Sequence, residues 1–314
     1  MPSTPKLTVL ITACSPGGMG AALATTLHKA GHRVFATARN VSKLSPLAEQ
    51  GIETLALDVT SASSIAAAFS AVSSALSATG PGLNILVNNA AGSYTMPVVD
   101  ASLDEARALF DVNVWSHIAV TQAFLPLLLR PTAPSASAEP HHPAKAMIVN
   151  HTSVGSRAAL PFQGIYNASK AALAMLTETM RLELAAFGIR VIDLKTAGVH
   201  TNIIANNNVN AKSARLPAGS IYEPARKVVE EAMSQEGLKD RGIPPEQWAA
   251  EVTTVLLGKN PPAVIWKGEG ASLARLGVGI PGNMFEGMIK KMTKLDVVEQ
   301  IIKESRSATV DTKV

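Results

Sequence analysis

The chain has 314 residues, 47% hydrophobic and only 17% charged, against about 25% charged in ordinary domains. It can bury a large core, which excludes global disorder, and its length fits one α/β domain or two small ones. Basic residues (28) exceed acidic ones (24) by four, too few and too scattered for a nucleic-acid footprint.

The single cysteine, Cys14, excludes an intramolecular disulfide and a cysteine-based zinc cluster, and no metal site is expected. The N-terminus carries only Lys6 before a short apolar run, without a cleavage signature. No stretch of about 18 uninterrupted apolar residues occurs, so no spanning helix is expected. A soluble cytoplasmic protein is the expectation.

Residues 6–12 form a β-branched run that stops at turn residues and read as a buried strand. Helical spacing covers 19–30, with Gly31 as C-cap. Residues 33–37 are a second strand, 42–49 a short helix, 54–58 a third strand, 61–78 an Ala/Ser-rich helix and 84–88 a fourth strand. Residues 102–129 read as one long helix with Leu109, Val112, Ile118 and Phe124 on its apolar face and a bend at Pro126. Residues 131–145 read as an exposed loop, where His141 and His142 lack a third ligand. Residues 146–152 are strand five, 164–187 a helix and 190–194 strand six. The Asn-rich stretch 198–222 reads as a mobile loop and substrate lid. Helices near 224–236 and 245–257 and a last strand at 263–266 follow.

The alternation predicts an α/β fold with a doubly wound parallel sheet. The expected division is a catalytic domain over 1–267 and a C-terminal helical extension over 268–314. From Met284, residues Met288, Met292, Leu295, Val298 and Ile302 keep helical spacing, with Lys290, Lys291 and Lys294 between them. This helix is expected to pack on its own body or on a dimer partner. The alternative is a membrane surface, with a peripheral place on endoplasmic reticulum or lipid droplets.

Residues 12–20 read Thr-Ala-Cys-Ser-Pro-Gly-Gly-Met-Gly and lie between the first strand and first helix. A doubly wound sheet binds a dinucleotide there. Gly17, Gly18 and Gly20 let backbone approach a pyrophosphate, and the helix N-terminus offers N–H groups. The stretch around Ser15 imitates a nucleophile elbow, but Pro16 lacks the N–H an oxyanion hole needs. About twenty residues on, where an NAD site places a carboxylate, the chain offers Arg39. A guanidinium binds a 2′-phosphate and points to NADPH.

Tyr166 and Lys170 stand at i and i+4 on one helix face. An adjacent ammonium is expected to lower the phenol's pKa towards the working range. Ser153, just past strand five, could hold a substrate oxygen at the ligand end of the sheet.

Together these motifs resemble the short-chain dehydrogenase/reductases, over residues 6–267. The resemblance implies a Rossmann-type single domain and an NADPH cofactor held by Thr12, Ser15, Gly17, Gly18, Met19, Gly20, Arg39, Asp58, Val59, Asn89, Ala90, Ala91, Tyr166, Lys170, Gly198, Val199 and Thr201. Asp58 matches the family's adenine-holding acid, and residues 88–91 (Asn-Asn-Ala-Ala) resemble its N-N-A-G. Residues 197–201 resemble its P-G-x-x-x-T segment. Ser153, Tyr166 and Lys170 match its catalytic trio, and Asn113 its helix asparagine, implied to support a proton relay. Ala13, Ala91 and Ala197 depart from family glycines and a proline, but no catalytic group is lost.

Within the family, residues 35–39, 43–48 and 94–97 are similar to fungal NADPH-dependent 1-acyldihydroxyacetone-phosphate reductases and related natural-product tailoring reductases. The implied activity is reduction of a ketone in a bulky or lipid-like small molecule, with a non-redox role as alternative. Apolar substrate walls are expected at Ser93, Tyr94, Met96, Val154, Leu160, Phe162 and 200–222. A homodimer is expected, and no nucleic-acid partner.

Overall fold

The computed structural model describes residues 6–76, 82–131, 146–202, 215–238, 241–277 and 282–311. Its strands are β1 Thr8–Ile11, β2 Arg33–Ala38, β3 Glu53–Ala56, β4 Ile85–Asn88, β5 Ala146–Ser153, β6 Ile189–Thr196 and β7 Val264–Lys267. They form one parallel sheet in the order β3-β2-β1-β4-β5-β6-β7. The chain reverses direction across the sheet between β1 and β4, the switch point where such folds bind ligands.

The helices are α1 Met19–Lys29, α2 Ser45–Ala48, α3 Ala62–Ala75, α4 Leu103–Phe110, α5 Ser116–Leu129, α6 Gly164–Leu184, α7 Arg226–Ser234, α8 Pro245–Leu256, α9 Ala271–Gly277, α10 Glu286–Met292 and α11 Leu295–Asp311. Strand residues alternate between the two faces. Val9 and Ile11 pack with Leu23 and Leu27 of α1 and Trp248 and Val252 of α8. Leu10, Leu86 and Ile148 pack on the opposite face with Val72 of α3 and Phe124 of α5. This is the doubly wound Rossmann-type sheet that the alternation predicts, in a single domain.

Local signals explain the helix starts. Ser61 accepts from Ser64 N–H and Ser102 from Glu105 N–H, satisfying donors that a helix start leaves open. Other boundaries differ from expectation. The short helix at 42–49 is a 3-10 turn, Val41–Leu44, running into α2. The long helix is α4 and α5 joined by a π-helical turn, Asp111–Trp115, and Pro126 stays inside α5. Its buried face includes Val114 and Val120, while Val112 and Ile118 are half-buried. By length and composition Leu103–Leu129 could cross a membrane, but half of its most apolar stretch is buried inside the fold.

The C-terminal spacing is also interrupted. Lys294 takes φ +58°, in the left-handed region, and separates α10 from α11. The two helices then behave differently. Met288 and Met292 of α10 are exposed, whereas Val298 of α11 is buried against Phe162, Val229 and Met233. The expected loop with His141 and His142, and the Asn206–Asn210 part of the expected lid, lie outside the described residues.

Candidate active site

The glycine loop sits at the switch point. Gly18 caps α1 without a side-chain hydrogen bond, and no acidic residue lies in the first turn. The helix therefore presents open N–H groups and its positive end to an anion. Gly20 is packed so closely that a Cβ would stand 2.6 Å from Asn89 Nδ2 and 2.7 Å from the Ala13 carbonyl. Ala13 itself has φ +58°, a conformation that suits glycine better. Ser15 and Gly17 are exposed and Met19 half-buried along this cradle. The Cys14 thiol behind it is buried, and burial pushes it up to about 12, so it is inert at neutral pH.

Thr12 and Asn89 sew the loop to β4. Thr12 Oγ1 accepts from the N–H groups of Asn89 and Ala90, at 2.8 and 3.0 Å. Asn89 Nδ2 donates to the Thr12 and Ala13 carbonyls, at 2.9 and 3.1 Å. Ala91 beside them is exposed. At the end of β2, Arg39 is exposed, where a ribose phosphate could meet it. Asp58 accepts from the Thr60 N–H and hydroxyl at 2.9 and 2.7 Å. These bonds, helped by the Arg39 charge, hold its carboxyl below the ordinary range. Val59 next to it is half-buried.

Beyond β6, Gly198 bridges Glu269 and Val199 bridges Ile243. Asn202 Nδ2 donates to the Pro16 carbonyl at 3.3 Å, so the segment carrying Thr201 turns back over the glycine loop. Hydrogen bonds thus tie the glycine loop to Asn89 and Ala90 and to the segment that follows β6. An uncapped helix end, a cradle that a single methyl would fill and a cation at the β2 end fit a phosphorylated dinucleotide.

The groups expected to react, Ser153, Tyr166 and Lys170, gather at the end of β5. Ser153 Oγ accepts from Gly155 N–H at 3.0 Å, and the Ser153 hydroxyl lies near enough to the Tyr166 phenol to favour its ionised form. Lys170, fully sealed from solvent, donates from Nζ to the His151 carbonyl at 2.9 Å. Its Nζ lies 6.0 Å from the Tyr166 ring centre. Burial pulls Lys170 down to about 8, against the charge of Asp193.

Tyr166 departs from expectation. Burial raises its pKa, and the nearby Ser153 hydroxyl opposes that rise. The ammonium is turned towards the His151 carbonyl rather than the phenol oxygen, so the expected lowering is absent. The phenol keeps its proton at neutral pH, as a proton donor requires.

Asn113 lies in the π-helical turn. Its Oδ1 accepts from Gly92 N–H at 2.8 Å, and its Nδ2 donates to the Gly92 carbonyl at 3.1 Å and to Ser169 Oγ at 3.0 Å. It locks the chain beyond β4 to α6.

Two buried histidines carry structure that the motifs do not reveal. His151 stacks on Trp248 with ring centres 5.2 Å apart. Its Nδ1 lies 2.9 Å from Asn89 Oδ1 and its Nε2 2.6 Å from Thr196 Oγ1. Since Asn89 Oδ1 can only accept, Nδ1 carries the proton. His117 Nε2 donates to the Ala90 carbonyl at 3.0 Å. Burial first, then the Lys170 charge, lowers both histidines to about 3, so both are neutral.

The residues expected to wall a substrate are apolar but partly buried. Phe162, Leu216 and Val298 form a cluster with Tyr94 and Met96. Ser93, Val154 and Leu160 are half-buried, and neither Val154 nor Leu160 is among the apolar residues packed on that cluster. Tyr94 is a strut rather than an open wall. It is buried, and its hydroxyl accepts from Ser102 N–H at 2.9 Å at the start of α4. Residues 215–222, the described end of the expected lid, are hydrogen-bonded to the body. Arg226 donates to the Leu216 carbonyl at 2.8 Å, and Ser220 Oγ to Asp100 at 2.7 Å. Val298 comes from the C-terminal extension, a contribution that periodicity alone could not place.

Comparison with known proteins agrees with this architecture. The short chain dehydrogenase family model matches residues 7–212. A short-chain dehydrogenase/reductase of Pestalotiopsis microspora is 48% identical, covering 95% of this chain and 98% of its own. The NADPH-dependent 1-acyldihydroxyacetone phosphate reductase of Schizosaccharomyces pombe is 34% identical, covering 91% and 94%. Among solved structures, a short-chain dehydrogenase from Streptomyces avermitilis superposes with a TM-score of 0.69 at 24% identity, covering 95% of this chain and 98% of that one. One from Burkholderia cenocepacia, in complex with NADP, gives 0.65 at 23%, covering 90% and 97%. At such identities these structures speak for the fold alone. With the sheet order, the family model matched over more than half its length and a relative 48% identical, the chain is a member of the short-chain dehydrogenase/reductase family of oxidoreductases.

Proposed function

We propose that the protein is an NADPH-dependent reductase of a ketone in a bulky, apolar small molecule. The carrying observation is the cluster at the end of β5, where a protonated Tyr166 meets Ser153 and Lys170 lies sealed beside them. A nicotinamide dinucleotide, when bound, supplies the hydride. The chain's own groups do the rest. Thr12, Ser15, Gly17, Gly18, Met19 and Gly20 receive the pyrophosphate side with Asn89, Ala90 and Ala91. Arg39 takes the 2′-phosphate, and Asp58 and Val59 border the adenine. Gly198, Val199 and Thr201 flank the nicotinamide.

Ser153 holds the carbonyl oxygen, and Tyr166 gives it a proton. Lys170 would hold the ribose, and its charge there would favour the phenolate left after proton transfer. Asn113 keeps α6 in place and supports proton resupply. The apolar cluster around Phe162 and Leu216 favours a bulky ketone, a class that includes the lipid-like substrate named for the S. pombe relative. The intact trio favours redox chemistry over isomerisation or dehydration.

A ketone panel followed by loss of NADPH absorbance tests this reading. Turnover of bulky apolar ketones, faster with NADPH than NADH, is the expected outcome. A protein that binds NADPH but turns over no ketone in either direction would overturn it.

A further inference from the structure

Three charged side chains lie sealed around the end of β5: Lys170, Asp193 and Lys195. The mechanism above uses only the first. Asp193 stands on β6 in register with Asn150, and Lys195 in register with Thr152. The Asp193 carboxylate accepts from Thr152 Oγ1 and pairs with Lys195 Nζ at 2.6 Å. Lys195 Nζ also donates to Ser156 Oγ at 2.9 Å and lies 5.7 Å from the Trp266 ring centre. Ser156 closes the 3-10 turn Val154–Ser156, which Ser153 caps. Thr152 and Ser156 therefore tie both flanks of Ser153 to one ion pair. A buried pair is weak evidence for stability, because desolvation offsets its attraction. Its geometry suits orientation better.

Asp193 is in register with Asn150, whose Nδ2 donates to Thr177 Oγ1 of α6 at 3.0 Å, and Thr177 stands two turns after Lys170 on the same helix face, so Asp193 lies on the side of the sheet that Lys170 covers. We propose that Asp193 and Lys195 are positioning residues for the reacting centre: Lys195 fixes the turn behind Ser153, and Asp193 supplies buried negative charge on the Lys170 side of the sheet. This rests on the roles given above to Ser153 and Lys170. The groups around Lys170 make the electrostatic half specific. From β5 it meets the His151 carbonyl, and from its own helix the Tyr166 ring. His117 of α5 and His151 are neutral at working pH. Asp193 on β6 opposes the downward pull of burial on Lys170, and Lys195 compensates part of that carboxylate's charge.

The two members of the pair must therefore act on Lys170 in opposite senses. Lysine labelled with 13C at Cε reports each ammonium by NMR during a pH titration of the cofactor-free protein, and Lys170→Met assigns the signal. Asp193→Asn is expected to lower the Lys170 midpoint by about one pH unit, a tenfold change in its protonation. Lys195→Met is expected to raise it. The double variant leaves neither charge unpaired, keeps the fold where a single variant fails, and should fall between the two. The alkaline limb of kcat should move in the same order.

Ser156→Ala cuts only the arm to the turn. It should lower kcat about tenfold and leave the Lys170 midpoint unmoved. A purely structural pair would leave the midpoint unchanged, or move it in one direction in all three variants, and that result overturns the electrostatic half. An unchanged kcat in Ser156→Ala overturns the turn-fixing half. The titration needs no turnover, so ordered midpoints in a protein inactive on every ketone would refute the reductase reading and leave the charge coupling standing.

Discussion

The two halves of the candidate site are built by different means. The glycine-loop side, from β1 through α1 to the start of β4, is made mostly of backbone: an uncapped helix end, a close approach at Gly20 and two N–H groups held by Thr12. The reacting side, from β5 through α6 to β6, is made of buried side chains that depend on one another. Lys170, His151, His117, Asp193 and Lys195 are all less than one-tenth exposed. A backbone site tolerates many side chains but almost no added volume. A side-chain site tolerates volume better than a change in charge.

Acid should expose this difference most strongly. His117 and His151 are held at about 3, against about 6.5 when unfolded. Between these values the unfolded chain binds more protons than the native one. Stability is therefore complete above pH 6.5 and is lost as pH falls towards 3, by at most about 1.4 kcal/mol per pH unit for each histidine. Thermal unfolding followed from pH 7 to pH 4 should show a steady fall in Tm. A flat profile would mean that the reacting side is not sealed.

Arg39 tests the cofactor end. Losing a charge-assisted contact costs about 1.5–3 kcal/mol. Arg39→Ala should therefore weaken NADPH roughly ten- to a hundredfold and leave NADH little changed. Fluorescence titration of both cofactors would show it, and a parent protein without NADPH preference would remove the basis for this residue's role.

Gly20→Ala sharpens the point about volume. The new methyl would enter the space of Asn89 Nδ2 and the Ala13 carbonyl. Overpacking of this kind costs about 1–3 kcal/mol and should weaken cofactor binding as well. Urea unfolding with an unchanged midpoint would show that the cradle has slack.

The smallest effect belongs to Ala13, at φ +58°. Left-handed backbone costs a residue with a Cβ about 1–2 kcal/mol, and the greater freedom of an unfolded glycine returns part of that. Ala13→Gly should stabilise by about 1 kcal/mol in the same assay. Loss of stability would mean that the methyl makes contacts that outweigh the strain.

The same contrast governs what the sequence makes readable. The glycine loop, Arg39 and the Tyr166–Lys170 pair are local in the chain, so spacing alone points to them. His151 and Trp248 stand 97 positions apart and meet only after β5 and α8 pack on the same side of the sheet. Asp193 and Lys195 look like ordinary strand residues until Thr152 and Ser156 come beside them. Gly242 is silent in sequence, yet a Cβ there would stand 2.7 Å from the backbone of Gly198 and Val199. Val298 joins the Phe162 cluster from a helix that starts after the break at Lys294, a turn that helical spacing does not reveal. The rise in Tyr166 pKa follows from burial and from the direction taken by Lys170, neither of which spacing encodes.

Turnover and NADPH dissociation constant, measured together for the parent and Tyr166→Phe on one active ketone, test the central claim most directly. The substitution removes a single hydroxyl, so the dissociation constant should stay within about twofold. Loss of the proton donor should lower kcat roughly 10²–10⁴-fold. A Tyr166→Phe protein that reduces the ketone at near-parental rate, with NADPH still bound, would contradict the account.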